Sequence, residues 1–593
     1  MDRPIIDKPN NYAKNLNLLR EKRFDLLEKL KDVQPNYELA LSLACEGSIT
    51  FDKDLSHSNI VVVFGFGTGD HIKALLSQVP KKTFIIIADP DLSIFKAALY
   101  LKDLSSILAD ERLILSIGEA PEVIKQKIRE HLIIFTVVDL ETIENENFTK
   151  YNLDYFKKVK EILKEISTEA YVNIATLAHF TKIWPRNFLK NIVHFLKNPG
   201  INTLFNKFSQ VPAVIVSTGP SLNKNVKLLK EAKKYFILIS VDTALPILMK
   251  NKIEPHFVYS LEANPKNIDC FKGWLFKNLC LLPSSFTYPP TINNFKGPIF
   301  IENGGYPFAQ WIEHFIDPKG FLSRLGSVAT NCFSLAQAMG CNPIIFTGQD
   351  LSFPDNVFYA KGAPERLAKE SDQHITKTEI TFVEDNFGQM IKTSINMKQW
   401  KLWFEEEIKE TPDLTYINAT EGGAKIEGTK FLRLREVIDQ YGQKKINIFK
   451  VINKIQKNHK VPSLKKLIEE FKNIIEEYQI ASQLSIQGKS ICENFINQIK
   501  DNEGNVSPKI TQLLNRAKLL YQEIASLNRF MFFSNWDLQR MMFEIEKDFK
   551  EKSLKVTALS YQYFFQEIDN ITHLMLRYLY PAEKKIKKLK PVS

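Results

Sequence analysis

The stretch Val214–Leu222, VIVSTGPSL, decides the fold of the middle of the chain. Its first four residues are apolar or small and predict a buried strand, which Thr218-Gly219-Pro220 then interrupts. Ser221 stands at a helix N-cap position and is followed by apolar residues at helical spacing. A strand, a tight turn and a helix N-terminus form an anion site, because free backbone N–H groups and the helix dipole point at one spot. We therefore expect Gly219 to let a phosphate approach the backbone.

The same order of strand, polar strand end and helix recurs along the chain. It predicts an α/β fold class with two Rossmann-like parallel-sheet domains followed by an all-helical C-terminal domain. The predicted bounds are 1–140 for the N-terminal domain, 141–200 for a helical connector, 201–430 for the central domain and 431–593 for the helical domain. Further strands are expected at Ile60–Phe64, Phe84–Ala88, Leu113–Ser116, Ile133–Val138, Phe236–Val241, Phe257–Leu261, Cys280–Pro283, Pro298–Ile301 and Pro343–Thr347.

Polar residues follow the predicted central strands where each strand ends. Since ligands of open parallel sheets bind at the carboxyl ends of strands, these residues should gather at one crevice. A single Ser or Asp is more often a cap or turn former, and it is the recurrence at successive strand ends that indicates a site. The residues are Ser217, Thr218, Asp242, Thr243, Glu262, Asn264, Ser284, Ser285, Gly348, Gln349 and Asp350, with Gly326 and Ser327 at a helix start.

A glycine turn follows the first predicted strand, at Gly65, Gly67 and Gly69, and Asp89 ends the next strand. This spacing is typical of an α/β unit that binds a nucleotide or S-adenosylmethionine, in which the acid contacts ribose hydroxyls. It is not the full dinucleotide fingerprint, so a Rossmann-like domain without a ligand is an equal alternative. Asp89-Pro90-Asp91 also matches the metal-binding DxD of some glycosyltransferases, a minor alternative.

Two later segments carry further candidates. Phe353–Glu384 is long and without clear periodicity, as lids and binding loops often are, and it contains Tyr359 and His374, a possible general base. Asn418–Ala424 places two glycines beside Glu421, which indicates another close approach of backbone to ligand.

The composition gives no indication of a nucleic-acid-binding, zinc-binding, membrane-spanning or exported protein. The net charge of +11 comes with no nucleic-acid-binding motif, and the lysines are spread along the chain. Six scattered cysteines without a CxxC pair predict reduced thiols and no zinc site. No apolar run reaches the ~18 residues of a membrane span, and the first residues lack a signal-peptide core. We expect a cytoplasmic protein with no nucleic acid partner and no membrane span.

Val214–Leu222, Gly326–Asp350 (GSVATNCFSLAQAMGCNPIIFTGQD) and Asn418–Gly428 (NATEGGAKIEG) together resemble the motility accessory factor (Maf) proteins of bacteria. The central segment is also similar to an archaeal pterin diphosphokinase-like domain and to bacterial sialyltransferases. The resemblance covers about residues 171–428 with specific motifs and the two ends more loosely. It implies transfer of a nonulosonic acid, pseudaminic or legionaminic acid, from a CMP-sugar to Ser or Thr of flagellin, with no cofactor or metal required.

The resemblance also implies residue roles. Thr218, Gly219, Pro220 and Ser221 would hold the donor phosphate and ribose, Ser327 would contact the nucleotide, and Asp350 would border the donor. Tyr359 would donate a hydrogen bond to the leaving phosphate. The base stays open among His374, Glu421 and Asp350. Independently of the resemblance, the sugar carboxylate needs a polar or cationic contact, for which Lys361 and Arg366 are candidates.

Two other functions stay open at this point. A pterin diphosphokinase would use ATP and Mg²⁺, with Asp242, Glu262 and Asp350 as possible metal carboxylates. A flagellin-binding chaperone would keep only a vestigial nucleotide pocket.

Overall fold

The computed structural model describes residues 8–43, 55, 58–81, 83–131, 140–144, 146–322, 327–365, 380–501, 508–548 and 553–589. The chain divides into two compact units, Met1–His179 and Phe180–Ser593. The predicted fold class is confirmed: the units contain parallel sheets with flanking helices, and helices make up the C-terminal part.

The first unit is built on a parallel sheet with the strand order β3-β2-β1-β4. The strands β1 to β3 follow the predicted ones and are almost wholly buried, as expected for a sheet covered on both faces. The predicted strand Ile133–Val138 lies outside the described residues. The strands are β1 (Ile60–Phe64), β2 (Phe84–Asp89), β3 (Leu113–Ile117) and β4 (Leu140–Glu144).

The predicted helical connector does not begin as a helix at residue 141. Leu140–Glu144 pairs with β1 as an edge strand, and the helices begin at Glu146. The helices of this unit are α1 (Lys8–Lys22), α2 (Phe24–Lys29), α3 (Tyr37–Ser42), α4 (Asp70–Gln78), α5 (Leu92–Leu101), α6 (Ser105–Leu108), α7 (Glu122–His131), α8 (Glu146–Tyr151) and α9 (Leu153–Phe180).

The second unit contains a seven-stranded sheet in the order β13-β12-β9-β5-β6-β7-β8, with parallel neighbours. Residues Pro298–Ile301 form isolated bridges and not the predicted strand, because Ile299 pairs with Leu281 while Ile301 pairs with Gly200 of another segment. The strands are β5 (Ala213–Val216), β6 (Ile237–Val241), β7 (Phe257–Ser260), β8 (Cys280–Pro283), β9 (Ile344–Thr347), β12 (Tyr416–Asn418) and β13 (Lys430–Phe431), with an antiparallel hairpin of β10 (Ile380–Glu384) and β11 (Met390–Ser394).

Helices surround this sheet, and the longest of them form the C-terminal part. The ring of Phe308 packs against those of Phe471 and Phe533, with centroid distances of 5.6 and 4.2 Å respectively, and these contacts join the helical part to the sheet domain. The helices are α10 (Ile183–Lys197), α11 (Leu222–Asn225), α12 (Leu229–Ala232), α13 (Leu245–Lys250), α14 (Pro289–Asn293), α15 (Pro307–Ile312), α16 (Val328–Ala338), α17 (Ile395–Glu410), α18 (Leu434–Tyr441), α19 (Phe449–Asn458), α20 (Lys465–Asp501), α21 (Pro508–Ala525), α22 (Asn528–Phe533), α23 (Asn535–Asp548) and α24 (Leu554–Lys587). None of the helices in the described ranges is both long and apolar enough to cross a membrane.

Candidate active site

A cavity of about 200 Å³ opens at the carboxyl ends of β5, β6 and β9. In the sheet, β6 lies on one side of β5 and β9 on the other, so the connections after these strands diverge. Such a switch point is where open α/β sheets bind ligands. Many of the predicted residues line the cavity, namely Ser217, Thr218, Gly219, Asp242, Thr243, Ser327, Gly348, Gln349, Asp350 and Tyr359.

Other predicted residues lie elsewhere. The Glu262 carboxylate accepts two bonds from Asn264, at 2.9 Å from the backbone and 2.8 Å from the side chain, and thus forms a local turn. Ser285 donates to the Asn303 carbonyl at 2.7 Å. Glu262, Asn264, Ser285, Pro220, Ser221 and Glu421 are outside the set of described residues that line the cavity. Gly326, Arg366 and His374 lie outside the described residues.

The turn after β5 differs from the expected open anion site. The Gly219 N–H donates to the Gly348 carbonyl at 2.8 Å. The Ser221 N–H and hydroxyl both point at Asp350 Oδ2, at 3.3 and 2.7 Å, so Ser221 does not use its side chain as an N-cap. A Cβ at Gly219 would lie 1.9 Å from the same oxygen. The glycine is therefore needed for the close approach of Asp350, a protein carboxylate, and the helix that follows is a single turn.

Asp350 links this turn to the two-glycine segment. It is 3% exposed, and its carbonyl accepts the Ala424 N–H at 2.7 Å. Burial raises the pKa of Asp350 to about 6, against the lowering effect of the Ser221 hydrogen bonds and of Lys224. No described residue provides a hydrogen bond to Asp350 Oδ1.

Asp242, at the end of β6, is also buried, but unlike Asp350 it accepts hydrogen bonds at both of its carboxylate oxygens. Its Oδ2 accepts bonds from Ser260 at 3.0 Å and Asn267 at 2.7 Å, and its Oδ1 accepts the Thr243 N–H at 2.9 Å. Burial nevertheless raises its pKa to about 6. The hydroxyls of Thr218 and Thr243 bond each other across the two strand ends at 2.5 Å. They form a polar wall of the cavity.

The first turn of α16 faces the same cavity through Ser327, Val328 and Ala329. Ser327 is the N-cap, since its hydroxyl oxygen accepts the Ala329 N–H at 3.3 Å and its carbonyl accepts the Thr330 N–H at 3.2 Å. No described residue accepts the Val328 N–H, which is therefore a candidate donor to a ligand. Unlike the helix after β5, α16 spans eleven residues, so its dipole favours an anion here.

Sequence reasoning missed part of the cavity wall. Met397 and Trp400 of α17 and Phe358 line it, next to the predicted Tyr359. The apolar positions at 397, 404 and 408 in residues 395–410 were a helix signal, because these side chains are buried at helical spacing.

The glycine turn of the first unit is filled by the protein itself. A Cβ at Gly65 would lie 2.3 Å from the Phe148 ring. The Asp89 carboxylate accepts the N–H groups of Phe66 at 2.8 Å and Asp91 at 2.9 Å, and burial raises its pKa to about 7. Asp91 Oδ1 accepts the backbone and hydroxyl of Ser93. These contacts differ from the expected ribose or DxD roles.

Within the described ranges, no group of three or more His, Cys, Asp or Glu side chains could hold a metal ion.

Comparisons with known proteins place these features in context. Residues 186–356 match the family described as 6-hydroxymethylpterin diphosphokinase MptE-like. The chain is 27% identical over 110 residues, 18% of its length and 50% of the relative's, to an uncharacterised protein of Treponema pallidum (strain Nichols). A second uncharacterised protein of that strain is 22% identical over 302 residues, with coverages of 50% and 52%. The chain thus spans about half the length of the curated relatives it matches.

The fold and cavity thus define an α/β protein with an MptE-like central segment. The chain is similar in fold to a Maf glycosyltransferase from Magnetospirillum magneticum AMB-1, with a TM-score of 0.61, 16% identity and 98% coverage of both chains. The resemblance stated from the sequence is confirmed for the fold and for the central segment.

Proposed function

We propose that this chain is a glycosyltransferase that moves a nonulosonic acid, pseudaminic or legionaminic acid, from a CMP-sugar to Ser or Thr of flagellin in the cytoplasm. The observation that carries the proposal is the cavity at the switch point of the central sheet. It lies in a chain that shares its fold with a Maf glycosyltransferase over 98% of its length.

The donor phosphate is proposed to bind at the first turn of α16. The Val328 N–H and the hydroxyls of Ser327, Thr218 and Thr243 would surround it. This replaces the turn after β5, whose Gly219 and Ser221 amides already have acceptors. Preorganised donors of this kind stabilise the charge that develops on CMP as it leaves the anomeric carbon.

The test compares two substitutions at Val328, the first residue of α16. Val328→Pro removes one N–H at a position where helices tolerate proline, and Ser327 already has the extended φ −121° and ψ 139° that suit a residue before proline. Val328→Ala shortens the same side chain but keeps the N–H. We expect Pro to weaken CMP binding, measured by calorimetry, about tenfold or more, as for a lost charge-assisted hydrogen bond, and Ala to have little effect. Equal CMP affinity in both folded variants would refute this phosphate site.

A second candidate, a diphosphokinase, is favoured by the family that residues 186–356 match. Asp242 and Asp350 line the cavity and could contact Mg²⁺. Calorimetry with CMP and ATP, each with and without Mg²⁺, separates the two functions. CMP binding without Mg²⁺ supports the transferase, ATP binding that requires Mg²⁺ supports the kinase, and binding of neither nucleotide supports a flagellin chaperone.

A further inference from the structure

The carboxylate of Asp350 is held by only one of its oxygens. Oδ2 accepts both the hydroxyl and the N–H of Ser221. Oδ1 is buried and accepts no hydrogen bond from the described residues. Because Asp350 also lines the cavity, the unsatisfied oxygen belongs to a group at the edge of the reaction site.

The backbone segment beside Oδ1 consists of two glycines, Gly422 and Gly423. A Cβ at Gly422 would lie 3.5 Å from Oδ1, and a Cβ at Gly423 would lie 2.5 Å from the Asp350 Cα. Glu421, which precedes Gly422, is outside the described lining of the cavity, and its backbone carbonyl accepts a bond from Lys224 Nζ at 2.6 Å. Gly423 thus lets its segment pack against the Asp350 backbone, and Gly422 leaves the space beside Oδ1 without a side chain.

We propose that Asp350 Oδ1 is the base that takes the proton of the acceptor hydroxyl, and that Ser221 is its positioning residue. This inference rests on the proposed transferase function, and it selects Asp350 over Glu421. As the acceptor oxygen forms its bond to the anomeric carbon, the bond from that carbon to the CMP phosphate breaks and its electron pair stays on the phosphate. The acceptor proton moves to Oδ1 and is later released to water.

The environment of Asp350 suits this role. Its pKa, raised to about 6, makes the carboxylate more basic than an exposed one while leaving it ionised at pH 7.5. Ser221 sets the orientation and lowers the pKa, and Lys224 is the charged side chain that also lowers it. Asp242 lines the same cavity and titrates in the same range, so a loss of activity in acid is not by itself diagnostic.

The experiment measures transfer from the CMP-sugar to flagellin, together with binding of cytidine 5′-methyl phosphate, a diester that does not titrate between pH 5 and 8. Asp350→Asn keeps the shape of the side chain and removes the base. We expect its kcat to fall about 100- to 10,000-fold with the diester affinity unchanged. In Ser221→Ala, the acidic limb of the kcat profile should move to higher pH, because Asp350 loses a hydrogen bond to its charged form.

Asp537→Asn is the matched control. Asp537 is a partly buried carboxyl whose pKa is also raised to about 6, and it lies in the helical part, outside the described lining of the cavity. Its kcat should stay that of the parent protein. Two results would overturn the assignment of the base, provided that the parent protein transfers sugar. One is a kcat of Asp350→Asn equal to that of the parent, and the other is an acidic limb of the kcat profile that does not move in Ser221→Ala. A parent protein that neither binds the diester nor transfers sugar would instead refute the proposed function.

Discussion

Replacing Asp350 by Asn should make the folded protein more stable at neutral pH. The buried Asp350 carboxyl has a pKa raised from 3.8 to about 6, so the folded state disfavours its charged form. A raised carboxyl pKa means that stability is fully present below pH 4 and is lost as the pH rises to about 6. Asn is neutral, like the protonated carboxyl group, so the Asp350→Asn variant does not lose this stability as the pH rises.

The size of the effect follows from the two pKa values. Each tenfold change in proton affinity corresponds to about 1.4 kcal/mol, which gives a gain of about 3 kcal/mol at pH 8 and about 1.5 kcal/mol at pH 5. A side chain that serves only the fold would show the opposite sign, because removing a satisfied buried charge leaves its partners unpaired.

Urea unfolding of parent and variant, followed by tryptophan fluorescence at pH 5 and pH 8, measures the difference. Asp537→Asn provides a comparison at a second, partly buried carboxyl with a similar raised pKa. If Asp350→Asn is less stable than the parent at pH 8, or if its advantage does not grow with pH, the carboxylate is not the destabilised group that the structure indicates.

Two further predictions concern glycine turns. Gly219→Ala would place a Cβ 1.9 Å from Asp350 Oδ2 and should lower the free energy of unfolding by about 1–3 kcal/mol. Gly422→Ala is the control, because its Cβ makes only ordinary contacts. Equal melting temperatures for the two variants would contradict this prediction. Phe148→Ala should destabilise the first unit by about 3–5 kcal/mol, because its buried ring packs against the turn at Gly65. Limited proteolysis under native conditions checks this, and an unchanged cleavage rate within residues 58–131 would contradict it.

Strand positions were predictable from the sequence where apolar runs end in turns. β1, β2, β6 and β8 were found within a residue or two because both faces of these parallel strands are buried. The hairpin of β10 and β11 was not predicted, because apolar residues such as Phe382 and Met390 are exposed at 52% and 63% and so do not mark its buried side.

The candidate site was predictable in its location but not in its contacts. Strand ends of one parallel sheet must share an edge, so Thr218, Thr243 and Asp350 could be placed together from the sequence. That the partner of Ser221 is Asp350 depends on an approach between residues 129 positions apart. No local pattern records such a contact, and a protein carboxylate satisfies the same N–H groups that a phosphate would.

The two walls of the cavity have different origins along the chain. The strand ends and the first turn of α16 fall inside the segment 186–356 that matches the MptE-like family, whereas Met397 and Trp400 come from α17, beyond it. Under the proposed function, substitutions on α17 would change this wall, and with it the fit of sugar or acceptor, and would leave the segment that matches the family unchanged. Chains that share the segment can therefore differ in the shape of the cavity through this one helix, and comparing the helix among them would trace how the cavity changes.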